Sequence, residues 1–188
     1  MQNSNHAYIS IDVETAGPNP STYSLLSIGA CDVFDTQNTF YVEIKPVNEN
    51  KIDSAMGISG LDWQDLIDNG LHPTEAMSNF ADWVNRFYQD GFTPLFVAFN
   101  APFDWMFVND YFHRYLGQNP FGHTALDIKA FYMGLHRTSW EDTRMQYVSN
   151  RYLNAQSLSH HALQDALDQA KIFRKMLVEV KIQGENNG

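Results

Sequence analysis

Asp12 and Glu14 stand two residues apart in a stretch where Ala7, Ile9, Ile11 and Val13 alternate with Tyr8, Ser10, Asp12 and Glu14. Such alternation is the pattern of a half-buried β-strand. A spacing of two puts both carboxyl groups on one face, with Cα atoms roughly 6.5–7 Å apart. Without a partner they repel, and one tends to keep its proton. Together they can reach one hard cation through oxygen ligands. A solvated polar face is the competing account of so short a motif.

Two further segments carry groups of the same kind. Asn100-Ala101-Pro102-Phe103-Asp104 follows the apolar run of residues 95–99. The loop after a buried strand is a usual address for ligand chemistry, although Asn100 can simply cap a helix whose dipole Asp104 complements. His160-His161-Ala162-Leu163-Gln164-Asp165 opens the last apolar stripe of the chain. There Asp165 lies off the main stripe, near Ile172 and Met176, and a solvated helix start is the better account of the segment read alone. Read together, four carboxylates from a first strand, a helix start and a last helix suit two divalent ions, Mg²⁺ or Mn²⁺. Two such ions about 3.5–4 Å apart stabilise both attacking and leaving oxygens in phosphodiester hydrolysis.

The elements must bring these groups together. Residues 7–14, 25–34 and 39–44 read as strands joined by connections short enough for an antiparallel meander. Residues 52–60 read as an ordered loop. A helix is expected from Pro73, with proline at its first position and Ala76, Phe80, Trp83, Val84 and Phe87 on its apolar face. Residues 95–99 suit a buried central strand, followed by a helix in which Phe107, Tyr111 and Tyr115 recur every four residues. Residues 125–135 fit strand or helix. A last helix from Ala162 buries Leu163, Ala166, Leu167, Ala170, Phe173 and Leu177. The expected fold class is α/β, a central mixed sheet with antiparallel first strands, flanked by helices.

The chain has 188 residues, 44% hydrophobic and 18% charged, which implies one domain, residues 1–183, with a frayed polar tail over 184–188. No apolar run approaches a membrane span. The first residues lack the charges and apolar core of a secretory signal. Cys31 is the only cysteine, so neither an intrachain disulfide nor a thiolate zinc cluster can form, and a cytoplasmic setting is expected. Twelve Lys and Arg against 22 Asp and Glu give a net charge of −10. That makes the chain a poor candidate for a bulk coater of nucleic acid, which normally needs a basic face. A protein holding a nucleic-acid end is compatible with it, if metal ions neutralise the carboxylates that meet the phosphates.

The three motifs, in this order, resemble those of the DEDDh-type 3′–5′ exonucleases, which have a ribonuclease H-like fold. The matches are Asp12-Val13-Glu14-Thr15, Asn100 to Asp104, and His160 to Ala166. Within that family the likeness is greatest to the ribonuclease T branch, through residues 11–17, Asn119-Pro120-Phe121 and the region of Asp127. The resemblance implies that Asp12 bridges two metal ions, that Glu14 and Asp165 hold the ion on the nucleophile side, and that Asp104 holds the other. It implies His160, five residues before Asp165, as the general base; His161 is then a surface residue. The implied products are nucleoside 5′-monophosphates cut from free 3′ ends of single-stranded RNA or DNA, or of short oligonucleotides, with RNA slightly favoured. No residue read from the sequence places a contact to the 2′-hydroxyl that separates the two.

Thr15, Met56, Ile58, Asn100 and Phe103 are the expected substrate contacts, Phe103 matching one base-stacking position of the ribonuclease T branch. Pro18, Ala55 and Thr124 stand where that branch carries other aromatic rings. Leu116, Gly117 and Gln118 replace its basic patch, so a homodimer has no support in the sequence. Arg137, Arg144 and Arg151 recur every seven residues and are either a phosphate-facing helical stripe or a solvated face. The alternatives to an active exonuclease are a catalytically silent 3′-end-binding module and a polymerase-associated proofreading subunit.

Overall fold

The alternation at the start of the chain is realised in β1 (His6–Thr15), which pairs antiparallel with β2 (Leu25–Asp32), itself antiparallel to β3 (Thr39–Glu43). On its other side β1 pairs parallel with β4 (Thr93–Ala98), and β4 with the short β5 (Ala125–Asp127). This computed structural model describes residues 5–153 and 160–186, and the strand order across its sheet is β3-β2-β1-β4-β5. The sheet is mixed, with an antiparallel first half as the connection lengths require.

Helices cover both faces. On one, α3 (Pro73–Gln89) and α4 (Ala101–Leu116) pack their aromatic stripes on Ala7, Ile9, Ile11 and Val13. On the other, α5 (Ile128–His136), α6 (Met145–Tyr152) and α7 (Ala162–Asn186) enclose a second core that includes Cys31, Val97, Ile172, Phe173 and Met176. Ile172 and Met176 are therefore core residues, which explains why Asp165 lies off the stripe read from the sequence. Tyr8, Ser10, Asp12 and Glu14 point to this second layer, since side chains alternate along a strand.

Several expectations change. Residues 52–60 hold a short helix, α1 (Asp53–Ser59), not a loop; Gly60 ends it in the left-handed region (φ 65) with its N–H bonded to the Met56 carbonyl. A further helix, α2 (Trp63–Asn69), follows, started by the Asp62 carboxylate accepting from the Asp65 N–H. Residues 125–135 contain both a strand and a helix, divided at Asp127. The arginines spaced by seven share no single helix: Arg137 ends α5, Arg144 precedes α6, and Arg151 lies in α6. Residues 184–186, placed in the tail by composition, continue α7. Among the described residues no helix is long and apolar enough to cross a membrane.

The position of α7 decides where Asp165 goes. Its Ala166 carbonyl accepts from Ser10 Oγ of β1 at 2.8 Å and from Cys31 Sγ of β2 at 3.6 Å. The first turn lies directly on Gly29, where an added Cβ would stand 2.1 Å from the Leu163 nitrogen. Only a residue without a side chain admits so close an approach.

Candidate active site

Asp12 and Glu14 leave β1 on the α7 face, and Asp165 descends toward them from the first turn of α7. One carboxylate oxygen from each lies within 4.8 Å of the others. Asp104 enters from the first turn of α4 and is tied to β1 by the Val13 N–H, which donates to its Oδ1 at 3.1 Å. Glu14, Asp104 and Asp165 are buried, and Asp12 is half-buried.

Charge crowded into so little water is costly. Burial pushes Glu14 up to about 7, and the Asp165 charge adds to it. Asp104 is pushed up to about 8 by burial first, with Glu14 and Asp127 adding and two backbone N–H donors opposing. Asp12 is held well above the usual carboxylate range by burial, then by Asp104, Asp165 and Glu14, against the opposing amide of Gln169. The cluster is thus a place where ionised carboxylates lack sufficient solvation.

His160 precedes α7 in a left-handed conformation (φ 55), uncommon for a residue with a side chain. Its N–H donates to Asp165 Oδ2 at 3.1 Å, which stabilises the bend and ties the loop to the cluster. His160 is exposed. His161 is exposed as well, but its ring stacks on Tyr41 of β3 with centroids 4.8 Å apart.

Beside Glu14 opens a cavity of about 360 Å³ whose lining includes Thr15, Pro18, Ile52, Ala55, Ile58 and Phe103. Three of the expected contact residues, Thr15, Ile58 and Phe103, share it. Met56 instead packs beside Ala16, Leu26 and Leu66. Asn100 occupies the N-cap position of α4 with φ 68 and no side-chain capping bond, and neither it nor Met56 is among the lining residues. Pro18 and Ala55 do line the cavity, close to Phe103, whereas Thr124 is exposed elsewhere.

A family model described as the 3′-5′ exoribonuclease Rv2179c-like domain matches residues 7–177. An Escherichia coli protein named 3′-5′ DNA exonuclease Cap18 is 44% identical over 174 residues, 93% of this chain and 93% of its own length. The chain belongs to the Rv2179c-like family of 3′–5′ exonucleases. Its fold is that of the DEDDh exonucleases. The nuclease domain of 3′hExo, a DEDDh family member bound to rAMP, superimposes with a TM-score of 0.75 at 16% identity, covering 95% of this chain and 94% of that one. Escherichia coli exonuclease I, in complex with a dT13 oligonucleotide, superimposes with a TM-score of 0.67 at 16% identity, over 93% of this chain and 41% of its own.

Two residues of this exonuclease escape motif reading. Gln169 of α7 is buried and donates from Nε2 to Asp12 Oδ1 at 2.7 Å. Its place one turn beyond Asp165, at the i+4 position, is the signal that could have found it. Asp127 accepts from the Ala101 N–H at 2.6 Å and the Ala130 N–H at 2.7 Å, so one carboxylate starts α5 and holds the first residue of α4. The sequence points to Asp127 only through the resemblance, because its partners lie on separate elements.

Proposed function

We propose that this exonuclease is metal-dependent and removes nucleoside 5′-monophosphates from the free 3′ ends of single-stranded nucleic acid or short oligonucleotides. The observation that carries the reading is the approach of Asp12, Glu14 and Asp165 to within 4.8 Å beside buried Asp104. Three carboxylates at that separation form an all-oxygen donor set, which fits a hard divalent cation. The raised affinity of Asp12, Glu14 and Asp104 for protons supports the same deficit of positive charge.

Asp12, Glu14, Asp104 and Asp165 would hold two divalent ions, Mg²⁺ or Mn²⁺, with Asp12 shared between them. When bound, the ions supply stabilisation to the attacking and leaving oxygens of the phosphodiester. Glu14 and Asp165 would hold the ion that serves the attacking water, and Asp104 the ion that serves the leaving oxygen. His160 accepts a proton from the attacking water on an imidazole nitrogen, the work of a general base. The new bond joins the water oxygen to phosphorus as the bond to the 3′-oxygen breaks; that oxygen takes up a proton from solvent water, and His160 returns its own to solvent. The terminal nucleotide occupies the cavity beside Glu14, with Phe103 and Ile58 against the base and Thr15 at its polar edge. The Asn100 carbonyl accepts the Phe103 N–H, and Met56 packs beside Ala16, Leu26 and Leu66. The single buried thiol of Cys31 suits a reducing cytoplasmic setting.

DNA is the strand class favoured by the 44% identity to a protein named a DNA exonuclease. RNA is the second reading, favoured by the family's description as exoribonuclease. The test is a matched panel of labelled RNA and DNA oligomers, two to about twenty nucleotides long, with free and blocked 3′ ends, in Mg²⁺, Mn²⁺ or chelator. Shortening from the free 3′ end that stops in chelator is the expected result. Equal cutting of blocked and free ends, or full activity in chelator, would overturn the proposal.

A further inference from the structure

We propose that Gln169 is a positioning residue for Asp12, fixing which carboxylate oxygen stays open to a cation. The inference rests on the reading of the carboxylate cluster as a metal site. Gln169 is 1% exposed, in the seam between α7 and the sheet. Its Oε1 accepts the N–H of Phe99, the residue after β4, at 2.8 Å. A backbone N–H can only donate, so this bond determines which way round the amide sits. The NH₂ end must therefore face Asp12, and Nε2 lies 2.7 Å from Oδ1.

Three consequences follow from that orientation. Oδ1 of Asp12 is tethered, while Oδ2 keeps its lone pairs for a ligand. The donor favours the ionised carboxylate in surroundings that otherwise oppose it. The same amide also bonds the β4–α4 junction, from which Asp104 is only five residues away, and it sits on the helix that carries Asp165. One side chain thus links the three chain segments that supply the cluster. A residue needed only to fill space would not have to present a donor and an acceptor in this order.

Two variants separate positioning from packing. Gln169→Glu keeps the size and the acceptor for Phe99 but replaces the donor with an oxygen facing Asp12. Gln169→Met keeps most of the volume and loses both bonds. Mn²⁺ binding is read without substrate, from the loss of the free-ion signal in electron paramagnetic resonance. The melting temperature in chelator and turnover at saturating Mn²⁺ complete the set. Outer-shell partners of metal ligands typically change affinity or activity by roughly 10- to 100-fold. We expect a loss of that size in turnover for both variants, and in Mn²⁺ affinity for Gln169→Met.

Wild-type turnover and Mn²⁺ affinity in Gln169→Glu would overturn the proposal, since that variant keeps the structural bond. So would a lowered melting temperature with unchanged Mn²⁺ affinity in Gln169→Met. If Gln169→Met does not fold, Gln169→Glu decides alone. Failure of the wild-type protein itself to bind Mn²⁺ would instead remove the metal-site reading on which the inference rests.

Discussion

Gly29 lies directly beneath Leu163: a Cβ on Gly29 would stand 2.1 Å from the Leu163 nitrogen and 2.2 Å from the Ala162 carbonyl carbon. Both contacts are with backbone, which cannot rotate away as a side-chain tip can. Gly29 also pairs with Asp12 in the β1–β2 register. The residue opposite one carboxylate therefore sets how closely the helix bearing another can approach.

Gly29→Ala should lift the start of α7 from the sheet and separate Asp165 from Asp12 and Glu14. Overpacking of this kind costs about 1–3 kcal/mol. We expect a lower melting temperature together with a loss of nuclease activity that added Mn²⁺ does not restore. Unchanged kcat/KM on a 3′-labelled oligomer would show that the close approach is dispensable.

Asp12→Asn should separate stability from activity. The substitution removes one of the crowded charges, so the chelated protein should melt at a higher temperature than wild type. Its turnover should fall to background, and the rise in melting temperature on adding Mn²⁺ should shrink. Calorimetric scans with and without Mn²⁺ check both halves, and a lower melting temperature in chelator would contradict the repulsion.

The pH dependence has a defined sign. Unfolded Asp and Glu ionise near pH 4, whereas folded Glu14 and Asp104 are pushed up to about 7 and about 8. Between these limits the folded state binds more protons, so stability falls as pH rises through the window. The contribution is fully present below about pH 4 and lost above about pH 8. In chelator the melting temperature should decline from pH 5 to 8, and Glu14→Gln with Asp104→Asn should flatten that slope. Mn²⁺ should protect more at pH 8 than at pH 6, because it needs the ionised carboxylates. A chelated wild-type protein that gains stability over this range would refute the assignment.

The two neighbouring histidines should behave differently. His160→Ala should reduce turnover by roughly 10²- to 10⁴-fold, the usual contribution of a positioned base. Mn²⁺ affinity should stay near that of wild type. His161→Ala should retain turnover and lose only its stack on Tyr41, about 0.5–1.5 kcal/mol of stability. The opposite pattern in single-turnover assays would move the role of base to His161.

Local patterning made much of this architecture legible. The alternation in β1 already divided Ile9, Ile11 and Val13 from Asp12 and Glu14, and the two sets face opposite helical layers. The aromatic spacing of α3 and α4 marked their buried faces for the same reason. Residues 52–60 look like a loop in the sequence because Gly57 and a span of seven helical residues leave too little periodicity to register. The arginines at 137, 144 and 151 were misleading for a related reason: a seven-residue interval is a helical signal only when one helix spans it.

The order and chemistry of the amino acids determined that three separated segments carry oxygen ligands of the kind that serve divalent ions, and on which strand or helix each stands. They could not determine that Asp12, Glu14 and Asp165 meet, because that depends on a helix seated on Gly29 across more than a hundred intervening residues. Nor could they show the orientation of Gln169, which is settled by the backbone N–H of Phe99, just after β4. Periodicity records what each element buries. The distances between groups on different elements arise only when the layers close, and the site consists of those distances.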